Sequence, residues 1–441
     1  MRVRFRWALA VAGISLAGIL LGCSNANNNN GTATTGFMWV ATQGDKLVRA
    51  YTIDLSGGTV RQVGGASDTG TQPTVMTTAL GGATIFMVNS GDDSITLYSI
   101  NSDASICTSP PSGKQTCPPT ATLSTLSVLS GCSSNCGPAY GDRPVAVAVD
   151  PTGQLLFVAN QGQANEVNNP GGISVFSISG TTLTPVGPAC PANYTQTTCP
   201  FVLADSVTGF GLGPSGIAVS PAGNFLYVTD QFTNDVSMLS YDTSGNLTLI
   251  TDCGAGQNCL NPRFPAGSNP AGIAFSRCSG VTAATANCPT GADNFLFVAN
   301  SGSNNVSAYA TCIQANPTCT SASGTLTQVP GSPFPAGNGP LAVAVNPVFD
   351  SVYVLDRTSF QVSQYSVSPA TGALAALSPA TASTGTSPVS GGITLDGKWF
   401  YVANNGASNL SAYSVGGAGR LNAATTSSVS VPNQPSAVLI R

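Results

Sequence analysis

The sequence predicts an all-β fold, a seven-bladed β-propeller closed by pairing its N- and C-terminal segments in one blade. Three observations carry this expectation. An apolar core recurs seven times, an alternating segment follows each core, and a proline-led segment precedes most of them.

The cores are FMWVATQG (37–44), IFMVNSG (85–91), LLFVANQG (155–162), FLYVTDQF (225–232), FLFVANSG (295–302), SVYVLDRT (351–358) and WFYVANNG (399–406). Val40, Met87, Val158, Val228, Val298, Val354 and Val402 align, with steps of 47, 71, 70, 70, 56 and 48 residues. The basic period is therefore about 47, and the longer steps carry insertions. After a short polar turn come VRAY (48–51), ITLY (95–98), ISVF (173–176), VSML (236–239), VSAY (306–309), VSQY (362–365) and LSAY (410–413). Period-two alternation bounded by Gly, Asn and Ser marks strands, so core and follower read as a hairpin. A further strand follows in most copies, as in GTVRQV (58–63), GNLTLI (245–250) and GTLTQV (324–329).

Upstream lie PTVMTTA (73–79), PVAVAVDP (144–151), PSGIAVSP (214–221), PAGIAFS (270–276), PLAVAVNP (340–347) and PVSGGITLD (388–396). Proline is tolerated at the first residue of a strand. The small residues there suit innermost strands crowded about an axis. The first core has no such strand before it, while PSAVLIR (435–441) ends the chain as a lone inner strand. Joined, the two complete one blade, as a closed ring requires and an open solenoid does not.

Composition narrows the chemistry. Among 441 residues there are 14 Lys or Arg, 18 Asp or Glu and no His. A Ser-His-Asp triad and a His-ligated metal are excluded. With Arg2, Arg4 and Arg6 removed in a leader, 11 positive charges face 18 negative, a net of −7. Without a basic stripe, nucleic acid is not an expected partner.

Arg2, Arg4 and Arg6 precede an apolar run, Trp7 to Leu21, with the layout of a secretory signal. It ends in Leu20-Leu21-Gly22-Cys23, which resembles the bacterial lipobox. The expected organisation is a signal peptide over 1–22, a lipidated Cys23 with a flexible tether over 23–36, and a propeller over 37–441. Export to the outer membrane or cell surface, held by N-terminal lipid alone, follows as an expectation. The other twelve cysteines fall into local pairs, Cys107 and Cys117, Cys132 and Cys136, Cys190 and Cys199, Cys253 and Cys259, Cys278 and Cys288, Cys312 and Cys319. All lie in the lengthened middle of the chain, as candidate disulfides that staple insertions in an oxidising compartment.

The YVAN and YVTD cores with the P-x-G-I-A-V strand resemble the YVTN-repeat propellers. More narrowly, they are similar to the seven-bladed lactonase family related to 6-phosphogluconolactonase and the carboxymuconate cycloisomerases, over nearly all of 37–441. The resemblance implies a ligand or substrate site at one mouth of the central channel. It also implies, for some members, lactone opening by Arg, Glu, Asp or His; this chain has no His to offer.

That mouth is built from the loops leading into the inner strands and the turns between second and third strands. The residues before the prolines are Gln72, Arg143, Gly213, Asn269, Gly339, Ser387 and Gln434, so Asp142 and Arg143 form the charged pair at that level. Arg143, Glu166 and Arg357 are the candidate catalytic residues. A guanidinium fork suits a carboxylate or lactone carbonyl, and Glu166, the single Glu, is the candidate base. The competing readings are a local turn or ion pair at Arg143 and a solvated carboxylate at Glu166. Asp142, Asp92, Asp93 and Asp235 are candidate ligand-binding residues. No D-x-D-x-D-G loop occurs, and no metal or cofactor is expected. The core-ending residues Thr42, Asn89, Asn160, Asp230, Asn300, Asp356 and Asn404 are expected to bond their own backbone at strand ends. The leading functional expectation is a binding or interaction scaffold for a small molecule, glycan or protein. A lactone hydrolase is the alternative.

Overall fold

The computed structural model describes residues 34–79, 82–107, 116–124, 142–162, 171–187, 201, 203, 211–221, 223–250, 263–276, 294–313 and 323–441. The leader, Cys23, Glu166 and the cysteines 132, 136, 190, 199, 253, 259, 278, 288 and 319 lie outside these residues.

Each repeat folds into an antiparallel sheet, and there are seven. Blade 2 shows the order from the axis outward: Pro73–Thr78, Thr84–Asn89, Ser94–Ser99 and Ala121–Ser124. The inner strands of blades 3 to 7 are Pro144–Val149, Pro214–Val219, Pro270–Phe275, Pro340–Val345 and Pro388–Ile393, each starting at its proline. Blade 1 takes its inner strand, Pro435–Ile440, from the end of the chain; it pairs antiparallel with Thr35–Thr42, matching Val40 to Val438 and Met38 to Ile440. Successive inner strands touch around the whole circle, with Pro435–Ile440 between blades 7 and 2. The ring is closed.

Close approach at the axis explains the small residues. A Cβ on Gly216 would come within 2.2 Å of the Ala271 carbonyl oxygen, and one on Gly272 within 2.6 Å of that of Leu341. The apolar cores fill the spaces between blades. Seven buried clusters each join two neighbours, such as Phe86, Val88, Leu156 and Val158 between blades 2 and 3, or Met38, Val40, Tyr401 and Ala403 between blades 7 and 1. Burying each such side chain contributes about 1.5–3 kcal/mol.

The aromatic that ends most third strands has a specific task. The hydroxyls of Tyr98, Tyr309, Tyr365 and Tyr413 donate to the carbonyls of Asp68, Pro265, Pro335 and Ser383, at the end of the preceding blade's outer strand. Those of Tyr227, Tyr353 and Tyr401, in the cores, donate to Gly324, Gly419 and Gly58 of the following blade. The repeated motif thus encodes blade-to-blade contact.

The insertions fall at outer strands and, in blades 3 and 5, between the second and third or the first and second strands respectively, and they leave the inner strands intact. In blade 4 the outer edge consists of Leu247–Leu249 and, after the insertion, Arg263–Pro265, both paired with Asp235–Tyr241. Cys107 and Cys117 are joined, with a Cα separation of 5.5 Å. The described residues flanking the bridge pack on blade 1, where Thr116–Cys117 runs parallel to Val60–Asp68 and the Trp39 indole donates to the Ala104 carbonyl at 3.0 Å. Cys312 is also disulfide-bonded.

Candidate functional site at the channel mouth

Seven copies of one backbone device build the mouth. The chain turns sharply from each outer strand into the next inner strand, and the residue before the proline takes the left-handed conformation. Its φ is 50° at Gln72, 53° at Arg143, 72° at Gly213, 50° at Asn269, 66° at Gly339, 52° at Ser387 and 60° at Gln434. A right-handed helical conformation is disfavoured before proline, and left-handed backbone is strained for any residue but glycine, so hydrogen bonds must hold it. The carbonyls of these seven residues accept, at 2.8 to 3.0 Å, the N–H groups of Ser90, Gln161, Gln231, Ser301, Arg357, Asn405 and Gln43 respectively.

Those donors follow directly on the core-ending residues. Their side chains crowd the axis: Gln161 donates to the Gln231 side-chain oxygen at 2.6 Å across two blades. Gln43 reaches the Pro73 carbonyl at 3.5 Å, and Asn405 reaches that of Pro435 at 3.3 Å, both at the start of an inner strand. The two rings together hold seven amides, three serines, two glycines, Arg143 and Arg357, with no carboxylate at any of the fourteen positions.

The core-ending residues lie one layer below and are fully buried. Their side chains bond chiefly the third strand rather than their own backbone. Asn89 donates to Thr96 at 2.8 Å, Asn160 to Ser174 at 2.9 Å, Asn300 to Ser307 at 2.9 Å and Asn404 to Ser411 at 2.9 Å. Asp356 instead accepts from Ser363 at 2.7 Å, and burial pushes its carboxyl up to about 6. The register of the hairpin, which places an Asn or Asp beside a hydroxyl, causes this arrangement and was not visible in composition.

The candidate acids are placed differently from one another. Asp92 accepts from the Thr71 N–H at 2.9 Å and from the Ser94 hydroxyl at 2.7 Å, so it holds its own turn. Asp93 accepts from the Arg143 N–H at 2.8 Å and bonds the Asp142 side chain. Burial, and then the neighbouring Asp142 and Asp92, push Asp93 up to about 6 against the lowering effect of the Arg143 N–H. Asp235 is fully buried, opposite Asp230 in the blade 4 hairpin. Both face Arg263, also fully buried, which the repeat pattern gave no reason to single out. Arg143 and Arg357 stand at the same level but in blades 3 and 6, three positions apart around the ring. Among the described residues no group of three or more His, Cys, Asp or Glu is arranged to hold a metal ion.

The sequence model described as a lactonase, 7-bladed beta-propeller, matches residues 286–435, which span blades 5 to 7. Over those residues the chain is similar to that family, and its fold is a seven-bladed β-propeller. Solved structures extend the likeness over the whole ring. A candidate 6-phosphogluconolactonase from Bacteroides fragilis shares 16% identity at a TM-score of 0.65, covering 94% of this chain and 100% of its own. The periplasmic gluconolactonase of Pseudomonas aeruginosa shares 20% at 0.64, covering 92% and 99%. A functionally unknown protein from Desulfotomaculum acetoxidans shares 14% at 0.59, covering 92% and 98%. No curated protein matches the chain in sequence.

Proposed function

We propose that this seven-bladed propeller is an exported, lipid-anchored binding protein that takes a hydroxyl-rich ligand at the amide-lined mouth. The observation that carries the reading is the make-up of the two rings. Amides and hydroxyls both donate and accept, so they match a surface of alternating hydroxyl donors and acceptors. General acid or base work needs a suitable titratable group beside the reacting atom; the fourteen ring positions supply no carboxylate or imidazole, and the adjoining Asp93 is engaged by the Arg143 N–H. The lipobox-like ending at Cys23 supports anchoring, and the Cys107–Cys117 bridge fits an oxidising compartment.

The gluconolactonase named among the structural relatives sets the competing activity to exclude. Purified chain incubated with a panel of sugar δ-lactones should open them no faster than buffer. Turnover that disappears in Arg143→Ala or Arg357→Ala would overturn the binding reading in favour of a hydrolase.

A further inference from the structure

Two of the described turns at the mouth, those of Lys46 and Phe360, lack a bond that four sister turns make. Lys46, Asp93, Asn234, Asn304, Phe360 and Ser408 occupy equivalent places just before or at the third strand, and all are left-handed, with φ between 51° and 61°. Four of them link blades through a side-chain oxygen that accepts the N–H of the next blade's pre-proline residue. Asp93 accepts from Arg143 at 2.8 Å, Asn234 from Asn269 at 2.8 Å, Asn304 from Gly339 at 2.9 Å and Ser408 from Gln434 at 3.3 Å. Phe360 has no oxygen to offer Ser387 of blade 7.

Phe360 therefore gives up a contact between blades and holds an aromatic residue where Asn or Asp fits with least strain. Burial does not compensate, because its side chain is 42% exposed. The other exposed large apolar residue among those described, Leu395, lies in a turn between first and second strands, at the opposite end of the blade. Within the Phe360 turn, Ser359 accepts from the Asn338 N–H at 2.9 Å and Thr358 donates its N–H to the Asn338 carbonyl at 3.1 Å. Arg357, Thr358 and Phe360 are the exposed residues of the turn, and Arg357 and Phe360 are its two large side chains. Arg357 is exposed and makes no ion pair with a described residue.

Resting on the binding reading above, we propose that Phe360 and Arg357 are a platform for one ring of an oligosaccharide whose adjoining ring enters the amide-lined mouth. A sugar ring has an apolar C–H face and a hydroxyl edge. An aromatic face covers the first, and a guanidinium fork bonds the second. A peptide anchor would need an apolar pocket, whereas the ring positions of the mouth hold amides, serines, glycines and arginines. Because Phe360 lies outside the ring of the mouth, beside the loop where the Thr384 N–H reaches its carbonyl at 2.9 Å, a ligand that sits on this platform and also enters the mouth is longer than one sugar.

Titration calorimetry with maltohexaose, cellohexaose and chitohexaose, against glucose and N-acetylglucosamine, tests this on the full chain. At least one hexaose should bind tenfold or more tightly than its monosaccharide. Phe360→Asn should weaken that binding tenfold or more while raising Tm, since it restores the residue of the sister turns; Phe360→Trp should retain binding. Unchanged hexaose binding by Phe360→Asn would overturn the platform and leave the mouth reading standing. A lowered Tm would show the ring to be structural and would equally overturn it. Failure of the wild-type chain to bind any hexaose would overturn both.

Discussion

Replacing Arg263 by alanine should destabilise the protein by about 2–4 kcal/mol, because it leaves two buried acceptors without their donor and removes the buried positive charge beside Asp230 and Asp235. The Arg263 Nε donates to the Ser237 hydroxyl at 3.1 Å, and its Nη2 donates to the Leu203 carbonyl in blade 3. It supplies the one positive charge facing two buried carboxyls. Burial, then the adjacent Asp235, holds Asp230 well above the usual carboxylate range, and burial raises Asp235 too, with Arg263 opposing both. Without the guanidinium, Asp235 loses its counter-charge and two acceptors lose their donor. Gly211 shows how closely the site is built: at φ +74°, a Cβ there would come within 2.5 Å of Arg263 Nη2.

Blade 5 performs the same task without charge. Asn300 donates to Asn305 at 2.8 Å and to Ser307 at 2.9 Å, and Pro333 precedes the Phe334 that pairs with Val306. The combined change Asp230→Asn, Asp235→Asn and Arg263→Gln should accordingly recover part of the loss, because it removes the buried charges while keeping a side-chain donor at residue 263. Denaturant unfolding of the two variants decides the matter. A neutral Arg263→Ala would contradict the charge-balance account.

Removing residues 435–441 should abolish cooperative unfolding and drive the chain into aggregates. The lost strand pairs with Thr35–Thr42 and packs in two interblade clusters, Ala437 with blade 2 and Val438 with blade 7. Its removal opens a long, buried strand edge, the kind that pairs with other chains. The same residues placed ahead of residue 34 through a five-residue link should restore folding. Blade 3 already joins its inner strand, Pro144–Val149, to Leu155–Asn160 through residues 150–154. The Arg441 carbonyl accepts from the Phe37 N–H at 2.8 Å, so the connected ends are adjacent. Recovery identifies ring closure, rather than bulk, as what the terminal strand provides.

The blades were legible because their signal is periodic: seven cores, seven inner strands starting at proline, and the pre-proline residues that form one ring of the mouth. Arg263 was not legible, because it lies on an outer-strand segment beyond an insertion, where no repeat marks the register. Asp235 read as a turn residue; directly opposite Asp230, it is buried. Phe360 stood out only once the left-handed conformation of its sister residues was known.

Amide hydrogen exchange on the full chain, with and without a saturating concentration of the hexaose that binds most tightly, locates the ligand directly. Exchange should slow at the turns 43–46, 90–93, 231–234, 301–304, 357–360 and 405–408 and stay unchanged at the opposite turns 150–154, 346–350 and 394–398. Slowing confined to the opposite turns, or absent everywhere, would contradict a binding site at the amide-lined mouth.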